Sequence, residues 1–161
     1  MVSTDWRSYI ESPEMFIGEY RHTLDEKGRI AIPAKLRYSK IAEDEFWVAT
    51  KGFDRCLFLY PKYEWERIVT KINERLSFTK KEDRSFLRMF VSPATEQTVD
   101  RQGRIAIPQS LREYAGIQKE VVTLGAVQRI EIWSEENWNR YKEENEKSFD
   151  LIGEKIADLG L

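Results

Sequence analysis

One stretch of sequence occurs twice in this chain, and this duplication constrains the possible folds more than any other feature. Residues 23–33 read TLDEKGRIAIP and residues 98–108 read TVDRQGRIAIP. A Leu-Arg pair follows each copy, and every matched position lies 75 residues from its counterpart without a gap. Two copies are too few for a solenoid, which needs about three repeats for stability. The duplication therefore predicts two half-domains packed about a pseudo-two-fold axis.

Each copy predicts a strand, a tight hairpin, a return strand and a short helix after the proline. The carboxylate of Asp25 can accept bonds from backbone N–H groups further along the turn, as in an Asx turn. Gly28 supplies the positive φ that closes a hairpin, and Arg29 lies at the hairpin base beside the aspartate. The isoleucines that follow alternate on one face of the return strand. The same roles fall in the second copy on Asp100, Gly103 and Arg104.

The repeated pattern Asp-x-x-Gly-Arg-Ile-x-Ile-Pro resembles the MraZ family, which belongs with the AbrB/SpoVT-type transition-state regulators. The sequence MFIGEYRHTLD at residues 15–25 strengthens the resemblance, which extends to about Trp138. It implies an α+β fold, with a duplicated swapped-hairpin β-barrel core of the AbrB/MraZ type and peripheral helices. The expected organisation is an N-terminal extension (1–14), a first half-domain (15–78), a connecting helix (79–92), and a second half-domain with a C-terminal helix (93–161).

The resemblance implies a sequence-specific DNA-binding transcriptional regulator whose two hairpins read DNA. Arginine can bond bidentately to guanine in the major groove, and a neighbouring aspartate lowers the cost of ordering it. Lysine and arginine at the hairpin tips suit phosphate contacts, which position the protein without specifying sequence. The residues expected to bind DNA are Arg29, Arg104, Lys27, Arg101, Asp25 and Asp100, with Gly28 and Gly103 as structural turn residues.

The family resemblance also implies how the protein assembles and where it acts. Its expected partners are double-stranded DNA, as direct repeats upstream of the division and cell-wall gene cluster, and further copies of itself. The implied assembly is a homo-oligomeric ring, an octamer or a dodecamer, in the cytoplasm and associated with the nucleoid. Two alternatives stay open from the residues: the Asp–Arg pairs only staple two turns, or the hairpins bind protein in an antitoxin-like scaffold.

Charge and composition limit the partners that the protein is expected to bind. The formal net charge is −2, so a DNA partner requires positive charge that is local. Residues 19–37 carry five Lys/Arg against three acids, whereas residues 134–161 carry eight acids against four Lys/Arg. No apolar run approaches the ~20 residues of a membrane span, so a membrane partner is not expected.

Catalytic chemistry is difficult to build from this sequence. The chain has one histidine, His22, and one cysteine, Cys56, which provide no metal-ligand cluster. His22 is expected to be a partly exposed strand residue, and Cys56 to be buried and inert. Glycine-rich phosphate loops and nucleophile elbows are absent from the sequence. We therefore expect no enzyme activity, no metal site and no cofactor.

The remaining elements follow from hydrophobic spacing. Four strands are predicted at residues 46–50, 56–60, 121–125 and 130–133. A helix after Pro61 should bury Trp65, Ile68 and Ile72, and Thr79 with Glu82 forms a capping box for the next helix. Ser134 is expected to cap one long C-terminal helix. The apolar stripe of this helix is predicted to be core rather than a contact with another subunit; its members are Trp138, Tyr141, Phe149, Ile152 and Ile156.

Overall fold

The computed structural model describes residues 15–34, 46–156 and 159–160, which fold as an α+β protein. The strands within these residues are β1 (Glu19–Thr23), β2 (Arg29–Ala31), β3 (Trp47–Lys51), β4 (Leu57–Pro61), β5 (Thr95–Gln97), β6 (Arg104–Ala106), β7 (Glu120–Gly125) and β8 (Ile130–Ser134). The helices are α1 (Lys62–Arg75), α2 (Lys81–Phe90), α3 (Gln109–Ala115), α4 (Glu135–Glu146) and α5 (Phe149–Lys155). All four strands predicted from hydrophobic spacing are present, to within one residue at either end.

The strands form a six-stranded antiparallel sheet in the order β1-β7-β8-β4-β3-β5, and a separate two-stranded sheet of β2 with β6. Strands β1 to β4 belong to the first copy, and β5 to β8 are their counterparts in the second. Exchanging each strand for its counterpart gives the same order read from the opposite edge, so the sheet is symmetric in the two copies. The pairings β1–β7, β3–β5, β4–β8 and β2–β6 each join the first copy to the second. The two copies are therefore held together by backbone hydrogen bonds as well as by packing.

Side chains alternate between the two faces of the six-stranded sheet. One face packs against the β2–β6 pair and α3 through a core that includes Leu57, Leu59 and Ile132. The opposite face carries Phe58, Tyr60 and Trp133, which lie under the helices α1, α2 and α4. The molecule thus has three layers, and the β2–β6 pair lies on the side away from the long helices.

Two expectations about the core are wrong. The described strands form an open sheet and a small separate sheet, not a closed barrel. The strands flanking each repeated turn also do not pair with each other as in a hairpin: β1 pairs with β7, and β2 pairs with β6. The predicted turns are present, because their hydrogen bonds are local. The pairing partner of each strand, by contrast, depends on how the two copies pack together. We therefore call residues 25–29 the first loop and residues 100–104 the second loop.

The helix predictions have mixed outcomes. Ser134 caps α4 as predicted, since its Oγ accepts a bond from the N–H of Asn137 at 3.1 Å. The prediction of a capping box formed by Thr79 and Glu82 is wrong, because α2 begins at Lys81 with Lys80 as its N-cap residue and has no side-chain cap. Instead, Asp83 reaches back to accept a bond from the N–H of Ser77 at 2.9 Å. The short helix is present after Pro108 as α3, but its counterpart after Pro33 lies outside the described residues.

The C-terminal helix departs from the prediction in a way that bears on function. It is interrupted at Lys147 and Ser148, giving α4 and α5. Trp138 and Tyr141 of α4 pack on Trp133, with ring centroids 5.3 and 5.1 Å away. The rest of the stripe is exposed, so its assignment to the core is wrong; these residues are Phe149, Ile152 and Ile156.

The predicted N-terminal extension, residues 1–14, lies outside the described residues. None of the helices that the structure describes has both the length and the apolar character needed to cross a bilayer. Likewise, within those same residues, there is no group of three or more His, Cys, Asp or Glu side chains arranged to hold a metal ion.

Candidate nucleic-acid interface

The first loop is organised by the carboxylate of Asp25. Its Oδ1 accepts the backbone N–H groups of Lys27 at 2.9 Å and Arg29 at 2.8 Å, which is the predicted Asx turn. Its Oδ2 accepts the Nε–H of Arg29 at 2.8 Å. The backbone closes through Asp25 N–H to Arg29 O and Gly28 N–H to Asp25 O, with Gly28 at φ 75°. One carboxylate thus shapes the backbone with one oxygen and orients the arginine with the other.

The second loop repeats this arrangement almost atom for atom. Oδ1 of Asp100 accepts the N–H groups of Gln102 and Arg104, both at 2.9 Å. Oδ2 accepts the Nε–H of Arg104 at 3.0 Å, and Gly103 has φ 78°. Since the two loops share their geometry as well as their sequence, they are expected to present their arginines in equivalent ways.

The two loops lie side by side because β2 and β6 pair with each other. In this ladder Ile30 lies opposite Ile105, and both are fully buried. The chain after each strand extends the ladder to the other loop: Ile32 N–H donates to Gly103 O, and Ile107 N–H donates to Gly28 O, both at 2.9 Å. Burial of the isoleucines below therefore fixes the spacing of the loops above.

This pairing brings four charged side chains together into a cluster that we call the four-charge cluster: Asp25, Arg29, Asp100 and Arg104. Each arginine binds its own aspartate through Nε and approaches the other aspartate through Nη1. The cross-loop distances are 3.5 Å for Arg104 to Asp25 and 4.0 Å for Arg29 to Asp100. Nη2 of both arginines has no partner among the residues that the structure describes. The side chains are 27–35% exposed, so the cluster is accessible from solvent.

The tips of the loops are exposed and differ between the copies. Glu26 and Lys27 lie at the first tip, whereas Arg101 and Gln102 occupy the equivalent positions at the second. Because the four-charge cluster is formally neutral, net positive charge at the loops comes from residues around it. Lys27 and Arg101 are the cations at the two tips, and they occupy different positions within them.

Sequence reasoning missed a further cation in this region, Arg112 of α3. Its Nε donates to the carbonyl of Ile107 at 3.0 Å, and its guanidinium lies over Gly28 of the other copy. A Cβ on Gly28 would lie 3.1 Å from Cζ of Arg112. The repeated Leu-Arg pair after each proline was the available signal. Arg37, the counterpart in the first copy, lies outside the described residues.

The loop aspartates are held as carboxylates. The backbone N–H of Arg29 lowers the pKa of Asp25 below its ordinary value of 3.8, and the bonds from the Arg29 side chain and Lys27 act in the same direction against partial burial. Asp100 has a lowered pKa for the equivalent reasons, with the backbone N–H of Arg104 first. Both carboxylates therefore stay ionised and bound to their arginines throughout the neutral range.

The lowered pKa values predict how the loops respond to acid. The contribution of the two carboxylates to stability is complete above about pH 3.8 and is lost as the pH falls through their lower folded-state values. We expect the double variant Asp25→Asn and Asp100→Asn to be less stable than the parent at pH 7, with the difference shrinking below pH 4. Urea unfolding followed by circular dichroism at several pH values measures this. A difference that is independent of pH would contradict it.

The glycine of the first loop allows a sharper mutational prediction. Gly28→Val would place a β-branched residue at φ 75° and force its Cβ against Arg112. Such backbone positions cost on the order of 1–3 kcal/mol for a residue other than glycine, and displacement of Arg112 adds to this. We expect a melting temperature several degrees lower, measured by calorimetry. Gly153→Ala is the control, since no atom lies within 4 Å of its Cβ position; equal melting temperatures for Gly28→Val and the parent would refute the turn geometry.

His22 and Cys56 lie away from the loops. Nε2 of His22 lies 2.6 Å from Oγ1 of Thr123, and the half-buried position predicted for this residue is confirmed. Partial burial lowers the pKa of His22. Cys56 is fully buried, as predicted, and burial raises the pKa of its thiol far above the ordinary value. Neither residue has the surroundings of a catalytic group.

The fold and the site together define a class: a duplicated α+β protein that presents two Asp-x-x-Gly-Arg loops side by side. Comparison with known proteins places the chain more narrowly. The model of one family, described as "MraZ protein, putative antitoxin-like", matches residues 15–89 and again residues 90–158. The chain belongs to the MraZ family, as its sequence resemblance indicated.

Its relatives agree across nearly the whole chain. The transcriptional regulator MraZ of Syntrophomonas wolfei is 51% identical over 147 residues, covering 91% of this chain and all of the relative. The proteins of the same name from Natranaerobius thermophilus and Halothermothrix orenii are 48% and 50% identical over the same length, with the same coverage. Membership in a family of transcriptional regulators also confirms that the protein is not an enzyme.

Proposed function

We propose that this protein regulates transcription by binding double-stranded DNA in a sequence-specific manner, with Arg29 and Arg104 reading base edges. The observation that carries the proposal is the four-charge cluster. Nε of each arginine is held by an aspartate, which fixes the guanidinium plane before any ligand arrives, and Nη2 has no partner among the described residues. A fixed guanidinium suits bidentate bonds to O6 and N7 of guanine, because little conformational freedom is lost on binding.

The surrounding cations supply the contacts that position without specifying. Lys27 and Arg101 at the exposed tips, together with Arg112 beside the first loop, suit DNA phosphates on either side of the bases that the arginines contact. Because Glu26 replaces a cation at the first tip and Gln102 replaces one at the second, the two loops contribute unequally. Gly28 and Gly103 act only through the turn geometry.

The proposal extends to the organisation of the chain. We regard residues 15–78 and 93–161 as two SpoVT/AbrB-like half-domains of the swapped-hairpin type, linked by residues 79–92. The cross-copy pairings of β1 with β7 and of β5 with β3 support this description. In such an arrangement each half-domain depends on the other for its edge strands, so the two loops cannot separate while the protein stays folded.

We further propose that copies of the protein assemble into a ring and bind direct repeats upstream of the division and cell-wall gene cluster, in the cytoplasm and associated with the nucleoid. The described part of one protomer has only a few cations near the loops, whereas proteins with strongly salt-dependent binding make about 6–10 phosphate contacts. A ring with its loops on one face would let successive copies engage successive sites.

A mobility-shift assay tests the proposal. The purified protein should retard a promoter fragment that carries direct repeats, and retard a fragment of the same length with the repeats scrambled only at much higher concentration. Equal retardation of the two fragments would contradict sequence-specific binding. If neither fragment is retarded, the proposal that the protein binds DNA is wrong.

A second function is favoured by a specific observation. The four-charge cluster is formally neutral and the chain is slightly acidic, features that also suit a protein partner, and the family description includes the word antitoxin-like. In this alternative the loops form a protein-interaction scaffold. The two functions separate in the same assay, because a scaffold of this kind leaves both DNA fragments unshifted.

A further inference from the structure

The helix α5 presents an apolar face that nothing in the described chain covers. Phe149, Ile152 and Ile156 follow one another at spacings of three and four residues, and they are 74, 45 and 50% exposed. No side chain of this helix is buried. A helix of seven residues is far below the ~12–15 residues at which isolated helices become even marginally stable in water. This face therefore needs a partner to stabilise the helix.

A second exposed apolar face lies on α2 and the turn before it. Phe78, Phe86 and Met89 are 66, 36 and 57% exposed. Phe86 stacks on the buried Phe90, with ring centroids 5.2 Å apart, so this face is anchored on the helical core beneath it. The face on α2 therefore belongs to a helix that packs on the core, whereas the face on α5 belongs to a helix with no buried side chain.

The two faces carry opposite charge. Residues 62–90, which include α1 and α2, have eight Lys/Arg and five Asp/Glu, a net charge of +3. Residues 135–155, which include α4 and α5, have four Lys/Arg and seven Asp/Glu, a net charge of −3. Lys81 and Arg88 flank the face on α2, and Asp150 and Glu154 flank the face on α5. Apolar centres with complementary charged rims are typical of surfaces that bind each other.

We propose that the α5 face of one copy binds the α2 face of the next copy, so that these two faces form the seam between protomers. The occupant is a second copy of this chain, since each copy carries both complementary surfaces. The contact joins two different faces and is therefore head-to-tail, which generates a ring where the rotation closes. This inference rests on the assembly that belongs to the proposed function, and it does not depend on DNA binding.

The layers of the fold agree with this seam. The face on α2 belongs to the helical layer, since Phe90 of this helix packs in the core on that side of the sheet, and α5 follows α4 of the same layer along the chain. The two loops lie beyond the opposite face of the six-stranded sheet. Contacts between helices of neighbouring copies would leave the loops uncovered. Every copy in a head-to-tail assembly would also present its loops to the same side.

Two surface variants test the seam without DNA. The first carries Arg88→Glu and Met89→Glu on α2, and the second carries Phe149→Ser and Ile152→Ser on α5. All four residues are exposed, so circular dichroism and melting temperature should match the parent for both. Light scattering after gel filtration should show each variant alone as a single chain, with self-association at least tenfold weaker than that of the parent. Gln128→Glu, an exposed change on the β7–β8 turn, is the control and should assemble normally.

Mixing the two variants gives the decisive result. The first variant keeps its α5 face and the second keeps its α2 face, so an equimolar mixture should form a species of two chains and no larger one. A first variant that still pairs with itself would show an α5–α5 contact and overturn the proposal. Parent-like assembly of the α5 variant would also overturn it, because the α5 face would then take no part in the contact between copies. Recovery of the pair supports the seam even where promoter DNA is not bound.

Discussion

Replacing Arg29 and Arg104 together with alanine is expected to abolish sequence-specific DNA binding while leaving the fold nearly intact. Each bidentate contact between arginine and guanine contributes about 1–3 kcal/mol of discrimination, and each protomer would lose two. The turns should survive, because Oδ1 of each aspartate holds backbone N–H groups and only Oδ2 binds the arginine. The ion pairs themselves are partly exposed, and such pairs contribute little to stability.

Fluorescence anisotropy with an operator and with a scrambled duplex measures this effect. The double variant should bind both duplexes with similar, weak affinity, whereas Lys27→Ala should weaken binding to both by a similar factor. Arg140→Ala is the matched control, since Arg140 is an exposed arginine on α4 that pairs with Glu136 away from the loops. A double variant that binds the operator like the parent would show that the loops do not read DNA.

The sequence predicted the loops well because their chemistry is local. An aspartate, a glycine and an arginine at fixed spacing are sufficient to specify the Asx turn, the positive φ and the Asp–Arg contact. The sequence did not specify the partner of the strand that follows. The β2–β6 pairing joins Ile30 to Ile105, 75 positions away, and depends on how the two copies pack. The four-charge cluster arises only from that long-range contact, so the sequence could not place all four side chains together.

The position of Arg112 illustrates the same limit. Its place four residues after the proline was visible twice in the sequence. Its contact with Gly28 of the other copy depends on α3 docking beside the first loop. Local patterns therefore predicted the geometry within each loop, but not which residue of one copy completes the surroundings of the other.

The prediction that the whole C-terminal apolar stripe belongs to the core was wrong for a different physical reason. Helical spacing of apolar residues shows that a face is buried against something, but it does not show against what. Trp138 and Tyr141 pack on the protein's own sheet, whereas Phe149, Ile152 and Ile156 face outward. The change coincides with the break at Lys147 and Ser148. Asn145 and Ser148 interrupt the stripe in the sequence, so the signal for two separate helices was present.

The largest effect is expected from the number of DNA repeats. Among the described residues, the cations that lie on the loops or touch them with their side chain are Lys27, Arg29, Arg101, Arg104 and Arg112. They fall short of the roughly 6–10 phosphate contacts of a strongly salt-dependent binder. Linking several copies makes later contacts intramolecular and can raise the overall affinity by about 10²–10⁴. An array of direct repeats should therefore bind the assembled protein far more tightly than one isolated repeat.

The spacing of the repeats tests the geometry behind this gain. Head-to-tail copies present their loops in one direction, so the target should be direct repeats about 10 bp apart, one helical turn, rather than a palindrome. Inserting about half a turn between repeats should turn the second site away from its loops and reduce the affinity towards that of one repeat. A whole-turn insertion keeps the facing and should cost less. The Phe149→Ser and Ile152→Ser variant should bind one repeat like the parent and gain nothing from more. Parent protein that binds one repeat as tightly as several would refute the linked assembly, while the assignment of the loops would stand.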